Sequence, residues 1–320
     1  MTLIEALEKE AVPEIREPLL GVVETVLSKV FIYKTIVRKI YKHESNFIGD
    51  FGDFDFRKSF YADDFAWNQA MSPLIYRSLK ALKENDGAWV YCDAVSAEDY
   101  LIEMNRIDAS RDLVRVASEG KLTNEMVLHS WSELYRRTRA LTEQQRILLP
   151  EFKSTWLDLW RRRLEEIAPW CEMSGDPVLR SEVDGIISEV RVTLDNPYIK
   201  DFDSKLLQVQ IDNQACNMIF DGDKVLFIDI FLMKQYWRVG DPFLTVSRLA
   251  VDVAVLDGTG KEKMLRSEAE KQLWALPDRI YWSYMIYSAL IMAPYFYMLK
   301  KPEIAGKYVA FIHAHLDKVR

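Results

Sequence analysis

Gln210-Ile-Asp-Asn-Gln-Ala-Cys-Asn217, followed by a short hairpin ending at Phe227-Ile-Asp229, is the stretch on which the reading of this chain turns. It carries a carboxylate at Asp212, a carboxamide at Asn217 and a second carboxylate at Asp229. Between the last two, the runs Met218-Ile-Phe220 and Val225-Leu-Phe-Ile228 flank Asp221-Gly222, a dipeptide suited to a tight turn because glycine adopts φ > 0 without strain. Taken singly, each of these polar residues is an ordinary turn or cap residue. Taken with the hairpin between them and with Gly240-Asp-Pro242 beyond, they read as one constellation.

Working outward, Leu206–Gln210 reads as a strand leading into the stretch, and everything beyond Phe243 reads as helix through to Ala305–Val319. Upstream, Ser110–Ser118, Thr123–Leu141, Thr142–Ala168 and Pro177–Leu194 all have helical periodicity. The character differs before Ile107. A helix to about Leu20 carries Leu3, Ile4, Leu7 and Ala11 on one side and breaks near Pro13 and Pro18. Thr25–Ile32 and Ile36–Ile40 form a hairpin about Tyr33-Lys-Thr35, residues 44–56 are loop, and a helix covers Arg57–Met71 and stops before Ser72-Pro73. Strands follow at Ala88–Val95 and Tyr100–Ile107.

Composition sets the bounds. The chain has 320 residues, 49% apolar and 28% charged, enough for a substantial core in one large domain or two lobes. A net charge of −7 argues against a general nucleic-acid binder. Cys92, Cys171 and Cys216 form no Cys-x-x-Cys pair, so free thiols in a reducing cytoplasm are expected. The start, Met-Thr-Leu-Ile-Glu-Ala-Leu-Glu, is acidic and amphipathic, unlike a secretion signal. Ile280–Leu299 carries no charge and is about as long as a bilayer span. Its tyrosines, Ser283, Ser288 and Pro294 mark it instead as a buried helix, and no membrane association is expected.

At this point the chain resembles the aminoglycoside-phosphotransferase-like branch of the protein-kinase-like superfamily, in particular bacterial kinases of uncertain substrate. The resemblance rests on the Asp212/Asn217/Asp229 spacing and on motifs in shared order: Glu24-Thr-Val-Leu-Ser-Lys-Val-Phe31, Arg38-Lys-Ile-Tyr-Lys42, Asp64-Phe-Ala-Trp-Asn68 with Pro73 and Tyr76, Asp99-Tyr-Leu-Ile-Glu-Met-Asn-Arg106, Gly120-Lys-Leu-Thr123, and Trp237-Arg-Val-Gly-Asp-Pro242. It implies an α+β, protein kinase-like bilobal fold. A small mixed N-lobe would span 1–104, and a helical C-lobe 105–320 would hold the catalytic loop and hairpin at 206–229.

The resemblance also implies an ATP- and Mg²⁺-dependent phosphotransferase acting on a hydroxyl of a small molecule. Lys39 would contact the phosphates, with Lys42 as alternative, and Asp64 would pair with it, with Asp63 as alternative. Asp212 would position the acceptor hydroxyl and take its proton, while Asn217 and Asp229 would bind Mg²⁺. The backbone from Met104 to Arg106 would contact adenine.

Three departures from the family pattern pull the other way. Gln210 stands for His, Ile211 for Gly, and Thr245 for an Asp expected to brace the loop. They motivate an alternative, a pseudokinase serving as a nucleotide-binding or regulatory scaffold; nucleotidyl transfer on the same fold is a third reading. Other motifs are set aside. Asp50-Phe-Gly52 precedes the catalytic loop, so it is a chance match to a kinase metal motif. His313 and His315 alternate along a helix and point to different faces. Trp156, Trp160 and Trp170 are core, Arg136-Arg137 and Arg161-Arg-Arg163 read as solvated helix faces, and Trp282, Tyr284 and Tyr287 fill a helix interface.

Overall fold

The computed structural model describes residues 1–320 except 26, 46, 47, 176, 196–201, 203, 233 and 320. The chain divides into two compact units: Met1–Ala109 with Leu226–Met233, and Ser110–Val225 with Lys234–Arg320.

The first unit is built on six antiparallel strands: β1 (Gly21–Glu24), β2 (Ser28–Ile32), β3 (Ile36–Tyr41), β4 (Tyr76–Asn85), β5 (Ala88–Cys92) and β6 (Asp99–Asn105), in the order β1-β2-β3-β6-β4-β5. Both faces of β3 are covered, which is why Arg38 to Tyr41 are all buried. Helix α1 (Leu3–Glu8) and the segment after it pack Leu3, Leu7 and Val12 with Phe31, Ile40, Leu82 and Leu101 on one face. Helix α2 (Phe54–Met71) covers the other, where Tyr41 meets Phe51, Phe60 and Tyr61 edge-on or tilted. The period of two along β3 thus sends Lys39 and Tyr41 toward α2 and Ile40 toward the aliphatic core.

Several boundaries differ from the sequence reading. The first helix stops at Glu8 because Glu10 adopts the left-handed conformation (φ 54°) and closes a Schellman motif, with Ala11 N–H donating to the Ala6 carbonyl at 2.8 Å and Glu10 N–H to that of Leu7 at 3.2 Å. The proposed strand Thr25–Ile32 begins only at Ser28, where a turn closed by Thr25 N–H to the Ser28 carbonyl separates it from β1. Helix α2 starts at Phe54, since Asp53 caps it through the Phe56 N–H at 2.7 Å. Strand β4 had no sequence signal. Its Arg77, Lys80, Ala81, Lys83 and Glu84 are helix-formers, overridden by pairing with β5 on one side and β6 on the other.

In the second unit the helices are α3 (Leu113–Ser118), α4 (Asn124–Gln145), α5 (Trp156–Glu165), α6 (Ile167–Ser174), α7 (Pro177–Asp195), α8 (Phe243–Leu256), α9 (Glu262–Gln272), α10 (Asp278–Met298) and α11 (Pro302–His315). Helix α10, apolar on every face, packs against α6, α7, α8 and α11 and is the hub of this unit's core. That accounts for the uncharged run Ile280–Leu299; among the described residues no helix is long and apolar enough to cross a membrane. Strands β7 (Leu207–Gln208) and β10 (Val239–Gly240) pair antiparallel, and β8 (Met218–Asp221) pairs with β9 (Lys224–Phe227), within which the chain passes into the first unit.

The single helix expected over Thr142–Ala168 is interrupted at Pro150, and a new helix begins at Trp156 under the Thr155 cap. The Arg161–Arg163 reading needs a further correction. Arg163 is buried, and its Nη2 donates to the carbonyls of Tyr236, Trp237 and Val239 at 2.9–3.0 Å. Three carbonyls converging on one guanidinium offset the cost of burying it, and they pin the entry to β10.

Candidate active site

Within the first unit, Lys39, Asp64 and Asp229 meet. Lys39 Nζ lies 3.5 Å from Asp64 Oδ2 and 2.5 Å from Asp229 Oδ1. Asp64 is reached because α2 sets it one turn before Asn68 on the buried face. The Asn68 amide donates to Asp64 Oδ1 and its oxygen accepts the Ile230 N–H at 3.1 Å, so one side chain holds both the carboxylate and the 226–233 segment. Tyr41, two residues along β3 from Lys39, donates its hydroxyl to Asp64 Oδ2 at 2.6 Å. The segment is further tied by Ser72 Oγ to the Phe227 carbonyl at 2.6 Å and by Trp67 Nε1 to the Ile230 carbonyl at 3.0 Å. Asp229 adopts φ 51°, a left-handed conformation Asp tolerates better than most residues, and its N–H donates to the Tyr76 hydroxyl at 2.9 Å.

The electrostatics follow from burial. Asp64 is fully buried, and burial raises its pKa while the Lys39 ammonium opposes the rise. Burial works against the Lys39 charge too, but Asp229 and Asp64 outweigh it and hold the ammonium well above the usual lysine range. Lys39 is therefore a fixed cation. Asp229, with 55% of its side chain exposed, is the member that reaches solvent.

In the second unit, Asp212 and Asn217 share the loop after β7. Val209 N–H donates to the Arg238 carbonyl and Gln210 N–H to Thr245 Oγ1, both at 2.8 Å. The Gln210 side-chain oxygen accepts the Asp212 N–H at 2.8 Å, and Gln214 Nε2 donates to Asp212 Oδ1 at 2.6 Å. Asn217 Nδ2 donates to the Asp212 carbonyl at 3.4 Å, closing the loop on itself. Farther along α8, the buried Asp252 accepts the Ala215 N–H at 2.7 Å on one oxygen and Arg248 and the Tyr308 hydroxyl at 2.6 Å on the other. Burial pushes the Cys216 thiol up to about 12, so it stays protonated.

The structure distinguishes the sequence alternatives. Lys39, not Lys42, pairs with the α2 carboxylate; Lys42 bridges to Glu24 at 2.7 Å instead. Asp64 is the buried carboxylate, and Asp63 is exposed. Met104 is buried on β6 opposite Val37, and Arg106 Nη1 donates to the Tyr33 carbonyl at 3.2 Å. Thr245 occupies the bracing position by accepting one loop N–H, and Asp252 supplies the carboxylate two turns later on the same helix. Tyr41, Asn68, Gln214 and Asp252 were assigned no role from sequence. Only Asn68 carried a signal, its i, i+4 spacing from Asp64.

Among the set-aside motifs, Asp50 accepts the Ser45 hydroxyl and the Gly52 N–H in its own loop, His313 pairs with Glu182 at 3.0 Å, and His315 stacks on Trp282 at 4.8 Å. A cavity of about 550 Å³ in the second unit is lined by Arg146, Phe152, Lys153, Trp156 and Leu206, and neither Asp212 nor Asn217 contributes to it.

The Asp229 carboxylate in the first unit and the Asn217 amide oxygen in the second are each hard oxygen donors of the kind that suit Mg²⁺. No group of three His, Cys, Asp or Glu able to hold a metal occurs among the described residues.

No protein-family model matches the chain, and no curated protein matches it by sequence. Solved structures do. A thermostable mutant of aminoglycoside phosphotransferase APH(4)-Ia, in ternary complex with AMP-PNP and hygromycin B, is similar with a TM-score of 0.58 and 13% identity over 98% of each chain. A choline/ethanolamine kinase family protein from Mesorhizobium loti gives 0.56 and 12%, covering 100% of this chain and 99% of that one. Choline kinase from Cryptosporidium parvum Iowa II gives 0.55 and 10%, covering 99% and 94%. The chain has the aminoglycoside-phosphotransferase-like, protein kinase-like α+β fold. At such identities the likeness establishes fold alone.

Proposed function

We propose that this chain is an ATP- and Mg²⁺-dependent phosphotransferase whose acceptor is a hydroxyl of a small molecule. The observation that carries the reading is the Lys39–Asp64–Asp229 cluster: a permanently charged lysine held by one buried and one exposed carboxylate, on a fold shared with small-molecule kinases. Lys39 would meet the nucleotide phosphates, and the backbone at Met104–Arg106 the adenine. Asp229 and Asn217 would hold Mg²⁺, which when bound draws negative charge off the phosphates. Asp212 would take the acceptor proton as the acceptor oxygen bonds to the γ-phosphorus. The bond from that phosphorus to its bridging oxygen breaks, ADP leaves with the electron pair, and Asp212 returns the proton to water. The three cysteines, all free, fit a reducing cytoplasm.

A second reading, a nucleotide-binding scaffold without turnover, has its own observation. Ile211, buried where the family pattern has glycine, adds bulk beside Asp212. Calorimetry of ATP binding with and without Mg²⁺, on wild type and Asp229→Ala, separates the readings when combined with a product assay. Mg²⁺-dependent binding lost in Asp229→Ala, with transfer abolished and binding retained in Asp212→Ala, supports the phosphotransferase. Binding without any transfer supports the scaffold, and no binding in wild type sinks both.

A further inference from the structure

One side chain on the Lys39 face of β3 touches both members of the Lys39–Asp64 pair. Tyr41 donates its hydroxyl to Asp64 Oδ2 at 2.6 Å, and the centre of its ring lies 4.7 Å from Lys39 Nζ. We infer that Tyr41 is a positioning residue for Lys39: its hydroxyl fixes the carboxylate that anchors the ammonium, and its ring backs the ammonium, so that the cation is aimed at the nucleotide phosphates. This rests on the phosphotransferase reading above, through its nucleotide site.

Asp64 alone does not hold the lysine. Its Oδ2 stands 3.5 Å from Lys39 Nζ, beyond the about 2.7–2.9 Å of a direct hydrogen bond between charged groups. The pair therefore acts through charge across a gap, and its pull depends on which way the carboxylate is turned. Two neutral donors decide that. Tyr41 holds Oδ2 and the Asn68 amide holds Oδ1, so rotation about the Cβ–Cγ bond of Asp64 would break both bonds. The ring acts on the lysine directly. An aromatic face attracts an ammonium most strongly where water is excluded, and the Lys39 side chain is only 6% exposed.

Tyr41 can serve as a fixed point because it is itself enclosed. Phe51, Phe60 and Tyr61 pack on its ring at centroid distances of 5.0–5.2 Å, and its N–H donates to the Tyr61 hydroxyl at 2.7 Å. Lys39 and Tyr41 lie two residues apart on one strand, hence on one face, so β3 carries both the cation and its guide. Asp229, the other partner of Lys39, is the exposed one. A phosphate that draws on the ammonium thus pulls against a buried rear support made of Asp64 and Tyr41.

Tyr41→Phe keeps the ring and removes the hydroxyl. The probes are MgATP and adenosine, each titrated by calorimetry, with urea unfolding alongside. We expect MgATP affinity to fall about 10-fold, the worth of one hydrogen bond to a charged group. Adenosine affinity should stay unchanged, because only the phosphates meet Lys39. In Tyr41→Phe/Asp64→Glu the longer arm closes the gap to Lys39, its extra methylene filling the space the hydroxyl leaves, and most of the MgATP affinity should return. The inference is overturned if Tyr41→Phe binds MgATP as wild type does, or if MgATP and adenosine weaken together, the mark of a purely structural role. It is also overturned if the double variant, folded as stably as Tyr41→Phe, binds MgATP no better. Wild type that binds MgATP without transferring phosphate, with Tyr41→Phe still weakened for MgATP alone, overturns the phosphotransferase reading and leaves Tyr41 its role at a nucleotide-binding site. Wild type that binds no MgATP overturns both.

Discussion

The two polar clusters, one in each unit, are held in different ways. In the first unit charge holds charge: Lys39 is fixed by Asp64 and Asp229, and Asp64 is satisfied by Tyr41 and Asn68. In the second unit neutral groups hold Asp212, Gln214 donating to its carboxylate, the Gln210 side-chain oxygen accepting its N–H and Asn217 donating to its carbonyl, while formal charges sit in the buried Arg248–Asp252 pair. Under the phosphotransferase reading the difference matches the two tasks: a phosphate clamp must stay charged whatever is bound, which paired carboxylates ensure, whereas a base must change protonation state.

The contrast breaks hardest where a buried charge loses its partner. Lys39→Met strands the fully buried Asp64 and should cost about 3–5 kcal/mol of stability, measured by urea unfolding at pH 7. The double variant Lys39→Met/Asp64→Leu should recover most of that loss, because an apolar pair replaces the ion pair. Equal losses in single and double variants would mean that the lysine, not the pairing, supports the fold.

Asp252→Asn probes the charges behind the second loop. It orphans Arg248, which is fully buried, and weakens the brace on Ala215 N–H. A loss of about 3 kcal/mol is expected, against less than about 1 kcal/mol for Asp212→Asn at a half-buried position. If Asp212→Asn proves the more destabilising, the contrast between the loop carboxylate and its brace fails.

A third test uses pH. Asp241, fully buried and accepting the Phe243 N–H at 2.9 Å and the Tyr284 hydroxyl at 3.1 Å, has its pKa raised by burial to about 6. A carboxyl raised on folding carries a penalty that is fully present above its folded pKa and is relieved as pH falls through it. Wild type should therefore gain stability relative to Asp241→Asn between pH 7 and pH 5, by about 1 kcal/mol, in paired denaturant melts. A flat difference across that window would show that Asp241 does not titrate between pH 7 and pH 5, against the raised value.

The smallest effect is expected at Thr245. Thr245→Val keeps the shape and removes the acceptor of the Gln210 N–H, costing about 1–2 kcal/mol in thermal or urea unfolding. It should lower turnover more than ATP affinity, since the loop it steadies carries Asp212. A loss confined to ATP affinity would place its influence elsewhere.

The sequence by itself determined the class of fold, the carboxylate and carboxamide at Asp212, Asn217 and Asp229, the hairpin between them, and the buried nature of Ile280–Leu299. These are local signals: a period of two or of 3.6, a turn dipeptide, an uncharged run interrupted by tyrosine. Lys39 and Lys42 lie three residues apart, and Asp63 and Asp64 are adjacent. Only the pairing of β3 with β6 and the packing of α2 across the same face decided which lysine and which carboxylate are enclosed. Strand β4 was hidden because its composition favours helix and its neighbours impose extension. Arg163 looked solvated because a run of arginines usually is, until the three carbonyls that receive it were brought together from residues more than seventy positions away. The same holds for the brace on the loop. Thr245 looked like a loss, yet Asp252 lies two helical turns further on the same face of α8 and supplies the carboxylate. Side-chain chemistry is written in the order of residues, whereas partnership depends on enclosure, and enclosure is a property of the folded chain.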